Sequence, residues 1–166
     1  MARKLKSRSH SDTGFTLIEL GIVIGVIAIM ATVVFTARGF IDASRVGTTI
    51  QTVEAVRKAS QGFSKRQCGG AAFSCGAGVN ALDSINKLVG ANNFFAVAPE
   101  DAWGNQAITV ISSGALNDQV TITACIGNGG NSAFLAADFE RAASELGTIT
   151  VGAACGTGTL VTVVTR

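Results

Sequence analysis

The chain of 166 residues predicts an α+β fold: a long N-terminal α-helix, transmembrane in its first half and amphipathic in its second, packed on an antiparallel β-sheet head. Three observations predict it. Gly14 to Ala37 is an apolar run with a single charge, Glu19. Apolar residues then continue at helical spacing as far as Phe63. After Cys68 the chain changes to short β-branched stretches separated by glycine-rich turns.

The apolar run has the length of a membrane span. Leu20 to Ala37 makes roughly 27 Å of helix at 1.5 Å per residue, close to a hydrocarbon core of about 30 Å. The mean hydropathy of +0.42 largely reflects this run. Charged residues are only 14% of the chain, against roughly 25% in ordinary globular proteins. The net charge of +2 is unevenly spread. Arg3, Lys4, Lys6 and Arg8 against Asp12 give residues 1–14 a charge of +3. The remaining 9 basic and 10 acidic groups sum to −1. A basic leader before an apolar helix places the leader in the cytoplasm and the rest outside. It does not predict nucleic-acid binding, since no basic stripe follows.

Beyond the span, Val46, Ile50, Val53, Val56 and Phe63 form one apolar face, with Arg45, Glu54, Arg57 and Lys58 as the polar complement. The helix is predicted from about Phe15 to Gln61. Gly62 and Ser64 to Gln67 read as its end. Thr36 occupies a position inside the helix, and Gly39 is its weakest point.

In the head, Asn80-Ala-Leu-Asp83 reads as an N-cap for a short helix over 81–89. Ala98 to Asn105 reads as a loop, with Trp103 as a core anchor. Glu100 and Asp101 are adjacent acids without the spacing of a calcium loop, so no metal site is assigned. Ala107–Ile111 and Val120–Ala124 predict a hairpin turning at Gly114 and Asn117-Asp118. Ser132 caps a predicted helix with Leu135, Phe139, Ala142 and Leu146 on one face, closed by Gly147. Thr148–Val151 and Leu160–Thr165 predict two further strands. The four cysteines, all beyond residue 67, suit an exported head with two disulfides. Three pairings are open. Close spacing favours Cys68–Cys75, and a Cys125–Cys155 bridge would tie the last helix and strand back to the sheet.

His10 is the only histidine and lies in the leader. That removes nucleophilic machinery built on histidine and His-based zinc catalysis from a processed chain. Gly127-Asn-Gly-Gly130 lacks the Lys-Ser/Thr of a phosphate loop. No catalytic residue, metal or cofactor is assigned, and the chain is read as no enzyme.

Gly-Phe-Thr-Leu-Ile-Glu-Leu at 14–20, after the short basic leader, resembles the processing site of a type IV pilin precursor, a signature shared with pseudopilins. The resemblance covers residues 1–63. It implies a cleaved leader (1–14), an N-terminal helix (15–63, with 15–37 as membrane span and filament core) and a pilin head (64–166). It also implies cleavage between Gly14 and Phe15 by a prepilin peptidase that methylates the new Phe15 amine. Glu19 would pair with the Phe15 amine of a neighbouring subunit and set its register. The implied partners are further copies of the chain in a helical polymer, the inner-membrane assembly machinery and the membrane itself, with no nucleic acid. The subunit would wait in the bacterial inner membrane, head periplasmic, before entering an extracellular pilus for adhesion, motility or cell contact. A C-terminal disulfide-bounded region such as 125–155 is comparable to the variable patch of pilins. The longer leader and the helix in that region resemble the type IVb subgroup, while Phe15 as first mature residue is similar to type IVa. Ala102-Trp-Gly stands where pilin heads often carry Pro-Trp-Gly. Two other readings remain open: a pseudopilin of a type II secretion system, and a membrane-anchored periplasmic domain whose leader is never cut.

Overall fold

The computed structural model describes residues 15–166 apart from 77, 91–92 and 107, and for Phe35 and Val79 the backbone alone. The layout is α+β. Helix α1 runs Leu17–Cys68, α2 Ser132–Ala142, and strands β1 (Thr109–Ser113), β2 (Gln119–Ile126), β3 (Thr148–Cys155) and β4 (Gly158–Thr165) form one sheet. All neighbours are antiparallel, in the order β1-β2-β4-β3. The chain divides into two compact units between Gly39 and Phe40.

In the first unit, α1 buries none of its described side chains. Its large apolar side chains from Leu17 to Val34 are exposed, from 46% at Val23 to 90% at Leu17. This helix is long and apolar enough to cross a membrane.

The second unit is organised by alternation in the strands. Register places Ile149, Val163, Ile122 and Val110 in one row across the sheet. Val163, Ile122 and Val110 are buried and join Val46, Val53, Val56, Ala59 and Phe63 of α1 in a single core. Ile50 and Trp103 pack against that core while half exposed. Thr109, Thr123, Thr162 and Thr150 form the next row, on the opposite face. Leu135, Ala136 and Phe139 of α2 add to the core.

Four expectations need correction. First, α1 does not end near Gln61 but at Cys68. Gly62 is not a stop: a Cβ there would lie 2.5 Å from the Phe94 ring, so glycine serves a close approach. Phe63 is buried on the core side and Ser64 reaches the Ala72 carbonyl. The stop is Gly69 (φ 64°) and Gly70 (φ 84°), whose left-handed backbone L-residues avoid. The Gly70 N–H donates to the Ser64 carbonyl at 3.1 Å.

Second, no helix fills 81–89. Single 3₁₀ turns occupy Gly78–Asn80 and Ile85–Leu88. Asn80 therefore caps nothing. Ala81 bridges Ser74, and the Leu82 carbonyl accepts from the Ser112 N–H at 2.7 Å, which holds the backbone extended. Third, α2 stops at Ala142, which is exposed, and Ala143 takes its place in the core. The N-cap is Asn131, without a side-chain cap bond, and the Ser132 hydroxyl accepts from Thr159 instead. Leu146 belongs to a separate 3₁₀ turn, Ser144–Leu146. Fourth, the last two strands are longer than expected, and Cys155 is the final residue of β3 rather than part of a loop.

Candidate processing and assembly site

Gly14, the residue before the expected cleavage bond, lies outside the described residues. Phe15 is 83% exposed. Thr16 is the residue that sequence reasoning missed. Its hydroxyl and its backbone N–H both donate to Glu19 Oε2, at 2.8 and 3.0 Å, and the Glu19 N–H donates back to Thr16 Oγ1 at 3.4 Å. This reciprocal arrangement is a capping box, with Thr16 as N-cap and Glu19 at the third helical position. The signal was present as Thr-x-x-Glu at 16–19. Four backbone N–H groups at a helix start lack intrahelical acceptors, and a carboxylate there also meets the positive end of the helix dipole. Glu19 therefore has a local task in the single chain. Its Oε1 accepts no hydrogen bond among the described residues.

A second feature escaped the sequence reading. Gly21, Gly25, Ala28, Thr32, Thr36 and Gly39 recur at spacings of four and three, which places them along one side of the helix. A Cβ at Gly21, Gly25 or Gly39 would meet nothing within 4 Å. The two threonine hydroxyls turn back to their own helix: Thr32 to the Ala28 carbonyl at 3.0 Å, Thr36 to the Val33 carbonyl at 3.0 Å. The stripe thus offers a shallow surface without dangling hydroxyls. Gly-x-x-x-Gly at 21–25 in an apolar helix is its sequence signature.

In the head both disulfides are present, Cys68–Cys75 and Cys125–Cys155. The first fixes the chain just after α1 ends. The second joins the ends of β2 and β3 beside Gly158 of β4, where a Cβ would stand 2.7 Å from Cys125 Sγ.

Of the two adjacent acids, Asp101 has a structural role. It is 5% exposed. Its Oδ1 accepts from the Trp103 and Asn105 N–H groups at 2.8 and 3.2 Å, and its Oδ2 from the Gln106 N–H at 3.0 Å. The loop is further tied to α1 by the Ala102 N–H, which donates to Thr49 Oγ1 at 3.2 Å. A carboxylate meeting three backbone donors is satisfied without a cation. Among the described residues no three His, Cys, Asp or Glu side chains gather as metal ligands would.

A hollow of about 610 Å³ opens beside Arg57, Glu145, Thr148 and Arg166. Arg57 Nη1 donates to the Leu146 carbonyl at 3.2 Å.

No protein-family model, curated protein or solved structure matches this chain.

Proposed function

We propose that this chain is a structural subunit of the type IV pilin kind, cut between Gly14 and Phe15 and polymerised into a pilus filament. The observation that carries the reading is the placement of Glu19. It is the single charge of the apolar stretch of α1, one turn beyond the expected cut, and only one of its oxygens is engaged by Thr16. A carboxylate inside a bilayer is expensive and calls for a partner. The other oxygen is available to a methylated Phe15 amine on a neighbouring subunit. An ion pair of that sort adds little stability but fixes register.

The apolar helix would exchange lipid for neighbouring helices on entering the filament, a step with little change in apolar burial. The small-residue stripe from Gly21 to Gly39 supports close helix–helix approach there. The head, carrying two disulfides, suits an oxidising exterior.

Mass spectrometry of the N-terminal peptide tests the proposal, on material sheared from cells and on membranes. The expected result is a methylated peptide beginning at Phe15 in the sheared fraction. The same peptide confined to membranes would replace the surface pilus with a short periplasmic filament of the pseudopilin kind. A peptide beginning at Met1 or Ala2 would overturn the filament reading and leave a signal-anchored domain.

A further inference from the structure

The two disulfides of the head stand in opposite surroundings. Cys125 is fully buried and Cys155 half-buried, each at the end of a strand, and β4 closes against the bridge at Gly158. This burial leaves a thiol no approach to Cys125 Sγ. Attack on Cys155 Sγ would release a Cys125 thiolate into the core, where an unpaired charge is costly. Cys75, by contrast, is exposed, and its partner Cys68 is the half-buried last residue of α1. Residues 69–76 form no helix or strand beyond one bridge, Ser74 to Ala81. Lys65 and Arg66 lie in the last turn of α1, which Cys68 ends. Their positive charge favours a thiolate leaving there. An exposed disulfide is the labile one of a set, and access decides which sulfur is attacked.

We propose that Cys75 Sγ is a thiol-exchange site, where a small thiol or dithiol opens the Cys68–Cys75 bridge while Cys125–Cys155 stays closed. The incoming thiolate bonds to Cys75 Sγ, the bond between the two cysteine sulfurs breaks, and Cys68 leaves as a thiolate that takes a proton from water. The product is a mixed disulfide on Cys75. With a dithiol, its second thiolate attacks the mixed disulfide and frees the Cys75 thiolate. The dithiol is then oxidised to a disulfide, and its two electrons have reduced the bridge. The head keeps its fold through this step, because the loop has other ties. Phe73 is buried and its N–H donates to the Asn117 carbonyl at 2.7 Å. The Gly70 N–H bonds to Ser64, the Ser64 hydroxyl to Ala72, and the Cys75 N–H to the Asn80 carbonyl at 3.2 Å. The bridge also spans only 7 positions, against 30 for the other, and a shorter closed loop stabilises less. The site is independent of the filament reading, since a chain whose leader is never cut carries the same bridge.

Timed reduction of the full chain in detergent micelles tests it, with dithiothreitol and, separately, with glutathione. Free thiols are alkylated at each time point and located by peptide mass spectrometry. The expected result with dithiothreitol is that Cys68 and Cys75 become alkylated at least about tenfold faster than Cys125 and Cys155. Trp103 fluorescence should stay at its native value while they do. With glutathione the adduct should sit on Cys75, with Cys68 alkylated. Removing the site by Cys68→Ala together with Cys75→Ala should abolish the adduct and leave the native fluorescence. Opening of both bridges at one rate would overturn the proposal, as would opening of Cys125–Cys155 first. An adduct on Cys68, or loss of the Trp103 signal in step with the first bridge, would overturn it as well. The time course of the unaltered chain decides these without any variant.

Discussion

Helix α1 is one hydrogen-bonded element serving two different environments. From Leu17 to Val34 its large apolar residues are at least 46% exposed, while Val53, Val56 and Phe63 further along are at most 2% exposed. The backbone is the same, so helix formation does not separate the two stretches. The separation lies in the polar complement. The first stretch is apolar on every side with Glu19 as its one charge, and the second alternates an apolar face with Arg45, Glu54, Arg57 and Lys58. A helix that is apolar all round requires burial in lipid or protein, whereas an amphipathic one finds its cover within its own domain.

The sharpest test of this contrast removes one side chain from each stretch. Phe63→Ala should cost the head about 3–5 kcal/mol, since it empties a filled core position. Ile24→Ala, in the exposed stretch, should leave head stability within about 0.5 kcal/mol of the parent. Urea unfolding in micelles, followed by Trp103 fluorescence, measures both. Equal losses would mean that the two stretches share one core.

A smaller effect is expected at the start of the helix. Thr16→Ala removes the cap hydroxyl and should cost the first turn about 1 kcal/mol, read as faster amide exchange at Ile18 and Glu19. Fraying of that turn with unchanged head stability would further separate the two stretches.

The smallest effect concerns the exposed pair Glu54–Lys58, 2.7 Å apart on the wet face of the second stretch. The hydrogen bond from Lys58, and then its charge, hold the Glu54 carboxyl below its ordinary value. A carboxylate with a lowered folded-state pKa contributes stability above its unfolded value and loses it as pH falls through the lowered one. The melting temperature of the parent should therefore fall slightly more than that of Glu54→Gln on acidification through the carboxylate range. Parallel curves would show that the pair contributes nothing.

Much of this architecture was legible in the sequence, for identifiable reasons. The apolar run and the strands carry strong period signals, because each alternates or saturates over many residues. The helix end was misread because Gly62 looks like a terminator when seen alone. Its lack of a side chain answers to Phe94, thirty-two positions away in sequence, and no local pattern reports that. The 81–89 stretch failed similarly: Asn80 has the chemistry of a cap, but Ala81 and Leu82 are held by a bridge to Ser74 and a bond from Ser112. Asp101 gave no sign of its three backbone partners, which only the folded loop brings within reach. The Thr16–Glu19 box, by contrast, was written plainly in four consecutive residues.

The bridge between Cys125 and Cys155 has a consequence for timing. It joins β2 to β3, yet these strands are not neighbours: β4 lies between them, with Leu160 opposite Cys125 and Gly158 opposite Cys155. Synthesis runs from the N-terminus, and β4 is made after both strands it separates. β3 pairs with β4 alone, so before β4 folds back only the disulfide can hold β3 beside β2. Oxidation before docking tethers the two strands at one end, and β4 must then fill the gap between them. Oxidation after docking locks the finished sheet. The order in which a newly made chain meets oxidant and its own final strand therefore decides which route the head takes to the same end.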